Sequence, residues 1–385
     1  MNRKVLLLGI LTRTVVFAVI YLTFYSYYPG RPPAPLGYET SQGPLNWHVL
    51  NPLLLYDGSQ YIKIAQFGYT KELAVWFPLY PLLIKTLGTL INNLELAAVV
   101  VANIAFLTAL VLIYSLARLD FGDRASFAAA VSLMLIPAGV YFNVAYTESL
   151  FLALVMGAFY AARKKHWWLA GVLGGLAALT RNLGIFVFPA LIIESHYQQI
   201  MLPSPRPGGA GGSEFFGRQC KNVLGLLLIP LIFSFYPGYL LAKFGDPLAF
   251  IHGQAGHFRA FRFPGWGLWA DIIQMLRNPV DPFNFIILLN LLAFLLGAVS
   301  LIYIERPSYR FFGLTYLLVI SAMPLVQGNM PHSTGLFRFI LGVFPIYLFL
   351  GGLLYSKKSR YIAAGLGLFI VMAIAFLVAK KIYLA

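Results

Sequence analysis

Two acids carry the chemistry that this sequence could do. Asp57 stands in Tyr56-Asp57-Gly58-Ser59-Gln60-Tyr61, between aromatic residues and ahead of a glycine. A carboxylate held there can take the proton of a hydroxyl as that hydroxyl attacks an activated carbon, the work of a general base. The same position suits an aspartate that caps a helix starting near Gly58, and spacing alone weighs the two readings evenly. Glu148 stands in Tyr146-Thr147-Glu148-Ser149, at the start of another apolar run. An acid at a membrane-embedded helix start is costly and so is often functional. The plainer reading is favourable interaction with the helix N-terminus, with Thr147 or Asn143 as the cap.

Cations that could hold a phosphate stand at comparable places. Arg181 in Thr180-Arg181-Asn182-Leu183-Gly184 lies between apolar runs, and Arg338 in Gly335-Leu336-Phe337-Arg338-Phe339 starts another. The arginine fork matches phosphate oxygens with paired hydrogen bonds, which makes both candidate clamps. Snorkelling to ordinary lipid headgroups is the competing role for each. The stretch 243–282 adds Arg259 and Arg262 as further phosphate contacts, with His252 and His257 among aromatics. No acid separates those histidines and no HExxH pattern is present, so a metal-independent site with no cofactor is expected. Tyr61, Tyr146 and His332 are the candidate substrate contacts, although His332 suits a structural role better. No P-loop and no GxSxG elbow occurs, which leaves nucleotide and serine hydrolysis without support.

The elements that must position these residues are membrane helices. Of 385 residues, 59% are hydrophobic and only 11% are charged, far from a soluble fold. Apolar runs cover roughly 5–25, 96–117, 125–142, 147–162, 167–180, 183–195, 222–242, 283–304, 309–325, 337–355 and 360–379, giving about eleven spans. The runs 167–180 and 183–195 are short for full crossings. The fold class expected is an all-α polytopic membrane protein, one integral membrane domain over 1–385. The net charge of +15 is spread as punctuation between the runs, at Arg3-Lys4, Arg163-Lys164-Lys165, Arg306 with Arg310, and Lys357-Lys358 with Arg360. That is a positive-inside pattern with lipid headgroups as partners, and it speaks against nucleic acid. The lone Cys220 excludes an intrachain disulfide.

Orientation follows from those charges. It puts 26–95 outside as one large loop, provided that 76–92 (WFPLYPLLIKTLGTLIN) does not cross. Pro78, Pro81 and the central Lys85 make it an interfacial helix. The stretch 243–282 is then a second outer loop, and 196–221 an inner one with the linker-like Pro203–Ser213. The C-terminal Lys380-Lys381 falls outside, a mild violation of the charge rule.

The blocks resemble the PIG-V family of mannosyltransferases, glycosyltransferase family 76, within the GT-C superfamily. They are Asp57-Gly58 with Tyr61, Ile64-Ala65, Gly68-Tyr69, Phe77-Pro78-Leu79-Tyr80-Pro81, Asn103 with Tyr114, Pro137-Ala138, and Tyr146-Thr147-Glu148-Ser149-Leu150-Phe151. Thr180-Arg181-Asn182-Leu183-Gly184 is similar to the family's Thr-Arg-Ser-Asn-Gly, with Ser and Asn out of register. The likeness covers about the first half of the chain and thins to Phe337-Arg338-Phe339 and Phe344-Pro345 beyond it.

The resemblance implies a polyprenyl- or dolichyl-phosphate-linked sugar donor and inversion at the anomeric carbon. It implies the catalytic acid at Asp57 and a second acid at Glu148, with mannose as the default sugar. A chain this short looks more like a prokaryotic relative, so the acceptor (glycolipid, polysaccharide or protein) is not carried over. The expected place is the inner membrane in a prokaryote or the endoplasmic reticulum in a eukaryote, with the site on the extracytoplasmic or luminal face. The rivals are a transporter or flippase, which would show repeated halves and midplane charges, and a non-catalytic subunit.

Overall fold

In lipid the backbone must close its hydrogen bonds internally, which leaves helices as the form open to these runs. The computed structural model describes residues 2–27, 50–54, 56–201, 212–326, 330–355, 367, 370, 371 and 374. Outside them lie the middle of the first loop, the linker 203–211, most of the predicted span 360–379, and Lys357, Lys358, Arg360, Lys380 and Lys381.

The chain begins with α1 (Asn2–Tyr27), followed by α2 (Asp57–Phe67) and α3 (Leu79–Ile91). Next come α4 (Leu94–Ala117), α5 (Asp123–Leu135), α6 (Glu148–Arg163), α7 (Trp167–Thr180) and α8 (Val187–Met201). Then follow α9 (Gly212–Leu226), α10 (Leu228–Phe244), α11 (Ala249–His252), α12 (Trp266–Arg277) and α13 (Asn284–Tyr303). The described part closes with α14 (Pro307–Ser321), α15 (Leu336–Phe339) and α16 (Pro345–Leu353).

Every predicted run up to 337–355 is helical, but many are shorter than a span. Among the described residues four helices are long and apolar enough to cross a membrane: Arg3–Ser26, Leu94–Ala117, Gln219–Phe244 and Asn284–Tyr303. A fifth forms if Leu336–Gly342 and Pro345–Leu353, bent by 84°, count as one span. The expected count of about eleven crossings is therefore not confirmed among the described residues, for local reasons. The run 125–142 leaves the α-helix at Ile136, before Pro137, and continues as a 3-10 turn. The run 183–195 likewise opens as a 3-10 turn over Asn182–Phe186. Helix α3 has 13 residues, about 20 Å, short of a hydrocarbon core of about 30 Å. It buries Tyr80, Ile84 and Gly88 and exposes Leu82 and Leu90.

Helix α6 is the axis of the packing. It lies against α4 on one side and α7 on the other, and α7 continues into α9 and α10. The contact of α7 is set by small residues, as in membrane helix pairs generally. A Cβ at Gly171 would lie 2.0 Å from the carbonyl oxygen of Gly225, a backbone atom with nowhere to go. The two ends of α6 carry opposite charges, Glu148 in its first turn and Arg163 in its last, which suits the helix dipole. At the Arg163 end the guanidinium grips both Asp120 oxygens at 2.7 Å. Arg306 joins that end, holding buried Glu194 from Nε at 2.8 Å, while the Ser308 hydroxyl donates to the same carboxylate at 2.6 Å. The Glu148 end holds the second ionic cluster.

Gly171→Ala is expected to separate α7 from α9 and lower stability by about 1–3 kcal/mol, the usual range for overpacking. Thermal unfolding in detergent measures it; an unchanged midpoint would mean that the helices part without loss.

Candidate functional site

Asp57 is the first residue of α2, and the residue ahead of it is strained. Tyr56 has φ +49°, a region that non-glycine residues rarely enter and that recurs at functional sites. Its side chain makes no capping bond, and neither does that of Thr147 ahead of α6. The capping roles open to Asp57, Asn143 and Thr147 on sequence are therefore not the ones these side chains take. The Thr147 hydroxyl instead faces the Tyr61 hydroxyl at 3.4 Å, and Asn143 is occupied by Arg13.

Both acids converge on one arginine. Arg338 Nη2 donates to Asp57 Oδ2 at 2.6 Å, and its Nε lies 2.9 Å from Glu148 Oε1. Arg181 Nη1 approaches the same Glu148 oxygen at 3.2 Å. Glu148 is only 2% exposed, so its charge rests on these two guanidiniums. Its oxygens form ion pairs without well-aligned hydrogen bonds. Aromatic faces complete the cluster. The Arg338 guanidinium lies over the Tyr146 ring at 4.7 Å, and Arg181, Arg259 and Arg338 all lie within 5.0–5.5 Å of the Phe339 ring centre.

The other Asp57 oxygen is held from the first loop. Trp76 Nε1 donates to Asp57 Oδ1 at 3.2 Å. The Trp76 carbonyl accepts from the hydroxyls of Tyr69 at 2.7 Å and Tyr236 at 3.4 Å, which fixes the indole in place. Burial by itself would raise the Asp57 carboxyl, but the Arg338 guanidinium, then the Trp76 indole, and Arg181 behind them, hold it below the ordinary carboxylate value. The group stays ionised at neutral pH.

Of the residues singled out from sequence, Asp57, Glu148, Arg181, Arg338, Tyr61 and Tyr146 come together. Three do not join them directly. Arg259 spends Nη1 on the Met323 carbonyl at 2.7 Å and Nη2 on the Thr334 carbonyl at 2.8 Å, reaching the cluster only through the Phe339 ring. Arg262 is exposed and lies over Trp266. The His332 ring contacts the Leu325 carbonyl at 2.6 Å and packs edge-on to Trp266, a structural role. No group of three or more His, Cys, Asp or Glu side chains among the described residues is placed to hold a metal ion.

Four residues that sequence reasoning passed over position the cluster. Trp76 is one. Arg13, buried in the middle of α1, donates to the Asn143 side chain, stacks over Phe106, and so holds the segment that leads into Glu148. An arginine inside the first span was the available signal, since such a charge is expensive in lipid. Asp271 on α12 is fully buried and accepts the backbone N–H groups of His332 and Ser333, each at 2.7 Å. Asn290 on α13 donates to the Ser333 hydroxyl at 3.0 Å and accepts the Phe337 N–H at 2.8 Å. Asp271 and Asn290 thus fix both ends of the segment that delivers Arg338.

Residues 77–204 match the model of the dolichyl-phosphate-mannose-protein mannosyltransferases, a stretch that includes Glu148 and Arg181. The GPI alpha-1,6-mannosyltransferase 2 of Cricetulus griseus is 26% identical over 214 residues, which is 52% of this chain and 42% of that protein. Among solved structures, ArnT from Cupriavidus metallidurans bound to undecaprenyl phosphate superposes with a TM-score of 0.52. That match has 15% identity and covers 95% of this chain and 63% of ArnT. The chain therefore spans less than half of the first relative and just under two thirds of ArnT. The likeness to ArnT shows the fold.

Asp271→Ala should cost roughly 2–4 kcal/mol, because two buried backbone N–H groups lose their acceptor. Asp271→Asn should cost less, since the amide oxygen can still accept one of them. Equal unfolding midpoints for both variants and wild type would show that the 332–333 segment does not depend on this carboxylate. The chain thus has the fold of ArnT and, over residues 77–204, is similar to a family of membrane mannosyltransferases.

Proposed function

We propose that the protein transfers a sugar, by default mannose, from a polyprenyl or dolichyl phosphate to an acceptor hydroxyl, with inversion at the anomeric carbon. The observation that carries this reading is one guanidinium, Arg338, shared between Asp57 and Glu148 with Arg181 beside it. A base and a phosphate clamp then stand next to each other. The acceptor oxygen attacks the anomeric carbon, the bond from that carbon to the phosphate oxygen breaks, and the hydroxyl proton passes to Asp57. Arg338 and Arg181 stabilise the charge that gathers on the departing phosphate. Glu148 holds both guanidiniums in register, and Tyr61 and Tyr146 wall the acceptor side.

The site faces the extracytoplasmic or luminal side in this reading, supported by the basic punctuation of the loops at the other pole. Nothing in the matched family or relatives supports the transporter alternative.

The purified protein in native lipid extract should transfer radiolabelled mannose from polyprenyl-phosphate mannose, and Asp57→Asn should abolish transfer while leaving the fold intact. Retained turnover in Asp57→Asn would remove this residue as the base; no transfer by wild type with any lipid-linked sugar would remove the activity. The pH profile tests the electrostatics separately. A base with a lowered pKa is ionised above that value and fails only as pH falls through it. Trp76→Phe deletes one donor to the charged form, so the acid limb should move to higher pH. The expected shift is about one unit, since a hydrogen bond to a charged group is worth roughly 1.5 kcal/mol. A limb that stays put would show that the indole does not tune the base.

A further inference from the structure

The stretch from Phe258 to Val280 leaves an unusual amount of apolar surface outside the protein core. Phe261 is 73% exposed, Trp269 61%, Leu276 73% and Val280 89%, with Phe258 and Phe263 also more than half exposed. On α12 this surface is a face. Leu268 and Asp271 turn into the protein, while Trp269 and Leu276, two turns apart, turn outward together. Water is a poor partner for such a face.

The exposed charges within the stretch have one sign, and Asp281, the next residue, is partly buried and accepts the Phe283 N–H at 2.8 Å. Of the four charged residues between Phe258 and Val280, Asp271 is buried and Arg259 is engaged with backbone carbonyls. The remaining two, Arg262 and Arg277, are exposed. Apolar aromatics interleaved with outward arginines suit a layer whose surface is anionic and whose interior is hydrocarbon. The surface is also continuous with a membrane-spanning one. Helix α13 follows within a few residues, packs against α12, and exposes Phe285, Leu288 and Leu292 along its apolar length.

We infer that the 258–280 loop is seated in the lipid–water interface, with Phe261, Phe263, Trp269, Leu276 and Val280 in the leaflet and Arg262 and Arg277 on lipid phosphates. Arg262 then serves the membrane surface and not a sugar donor. The seat matters for the site, because the same loop is its rim: His257 packs edge-on to Trp76 at 5.0 Å, and Arg259 grips Thr334 ahead of Arg338. A loop sunk in the leaflet holds the Asp57 cluster at headgroup level. The inference rests on the membrane fold and not on the proposed reaction, so each can fail without the other.

The test is spin-label accessibility in vesicles of phosphatidylethanolamine and phosphatidylglycerol. In a Cys220→Ser background, a nitroxide is attached to Phe261→Cys, Trp269→Cys or Val280→Cys. Glu72→Cys, from the first loop, is the aqueous control. The three loop labels are expected to meet membrane-dissolved oxygen several-fold more readily, relative to a water-soluble nickel chelate, than the control does. Labels as open to nickel as the control would place the loop in water and overturn the inference. So would labels shielded from both reagents, which would mean that a protein partner or a second copy covers the face. Arg262→Gln with Arg277→Gln should lower the oxygen preference in these vesicles and leave it unchanged in vesicles of phosphatidylcholine alone. An identical response in both lipids would overturn the role given to the arginines.

Discussion

Arg338 cannot be moved without stripping Asp57 of its ion-pair partner and leaving Glu148 to Arg181 alone. Its guanidinium satisfies Asp57 at the start of α2 and Glu148 at the start of α6, two segments 91 positions apart, from a helix near the other end of the chain. In a medium of low dielectric a buried carboxylate without a partner costs several kcal/mol, and truncating one member of such a pair is strongly destabilising. The contact therefore ties the first loop, the central helix and the C-terminal half to one geometry. Much of the surrounding structure serves to place it. Asp271 and Asn290 set the approach of Arg338, Arg13 and Asn143 set the approach of Glu148, and Trp76 sets the rotamer of Asp57.

The opposite pole repeats the device with different residues. Arg163 and Arg306 meet Asp120 and Glu194 at the far end of α6, roughly 22 Å away by helix rise. Two ionic knots at the two ends of one helix fix its neighbours in height as well as in contact. That compensates for packing forces which are weak in lipid, where apolar side chains gain little by leaving acyl chains. It also explains how α7, with glycines at its interfaces, can approach its neighbours closely without sliding.

Sequence patterning reached the membrane class and the helix positions because both depend on apolar runs, which are local. It located Asp57, Glu148, Arg181 and Arg338 through ionisable residues at the ends of such runs. It did not reach the pairing among them, since residues so far apart carry no local sign of contact. The count of about eleven crossings is not confirmed among the described residues for a related reason. Hydropathy registers the length of an apolar run but not the Pro137 turn, the 3-10 start at Asn182, or the 84° bend that ends Leu336–Gly342. Trp76 and Asp271 escaped notice because each looks ordinary in isolation, one an aromatic in an apolar segment and the other an acid in an amphipathic helix. Their importance lies in single hydrogen bonds.

The charge balance of the cluster gives a physical reason for assigning the proton to Asp57 in the proposed reaction. Arg181 and Arg338 lie against the Phe339 ring and meet Asp57 and Glu148. Two guanidiniums against two carboxylates leave the cluster neutral, so a bound sugar phosphodiester brings the site to one negative charge. Cleavage of the glycosidic bond gives a phosphate monoester with a second negative charge. If Asp57 takes the acceptor proton, one carboxylate charge disappears as the phosphate charge appears, and the net charge of the site is the same before and after. If the proton went to bulk water instead, the site would gain a second uncompensated negative charge in a medium where solvation is poor. The pairing of Asp57 with Arg338 thus links the two halves of the reaction: the guanidinium released as the base is neutralised is the one that the leaving phosphate requires.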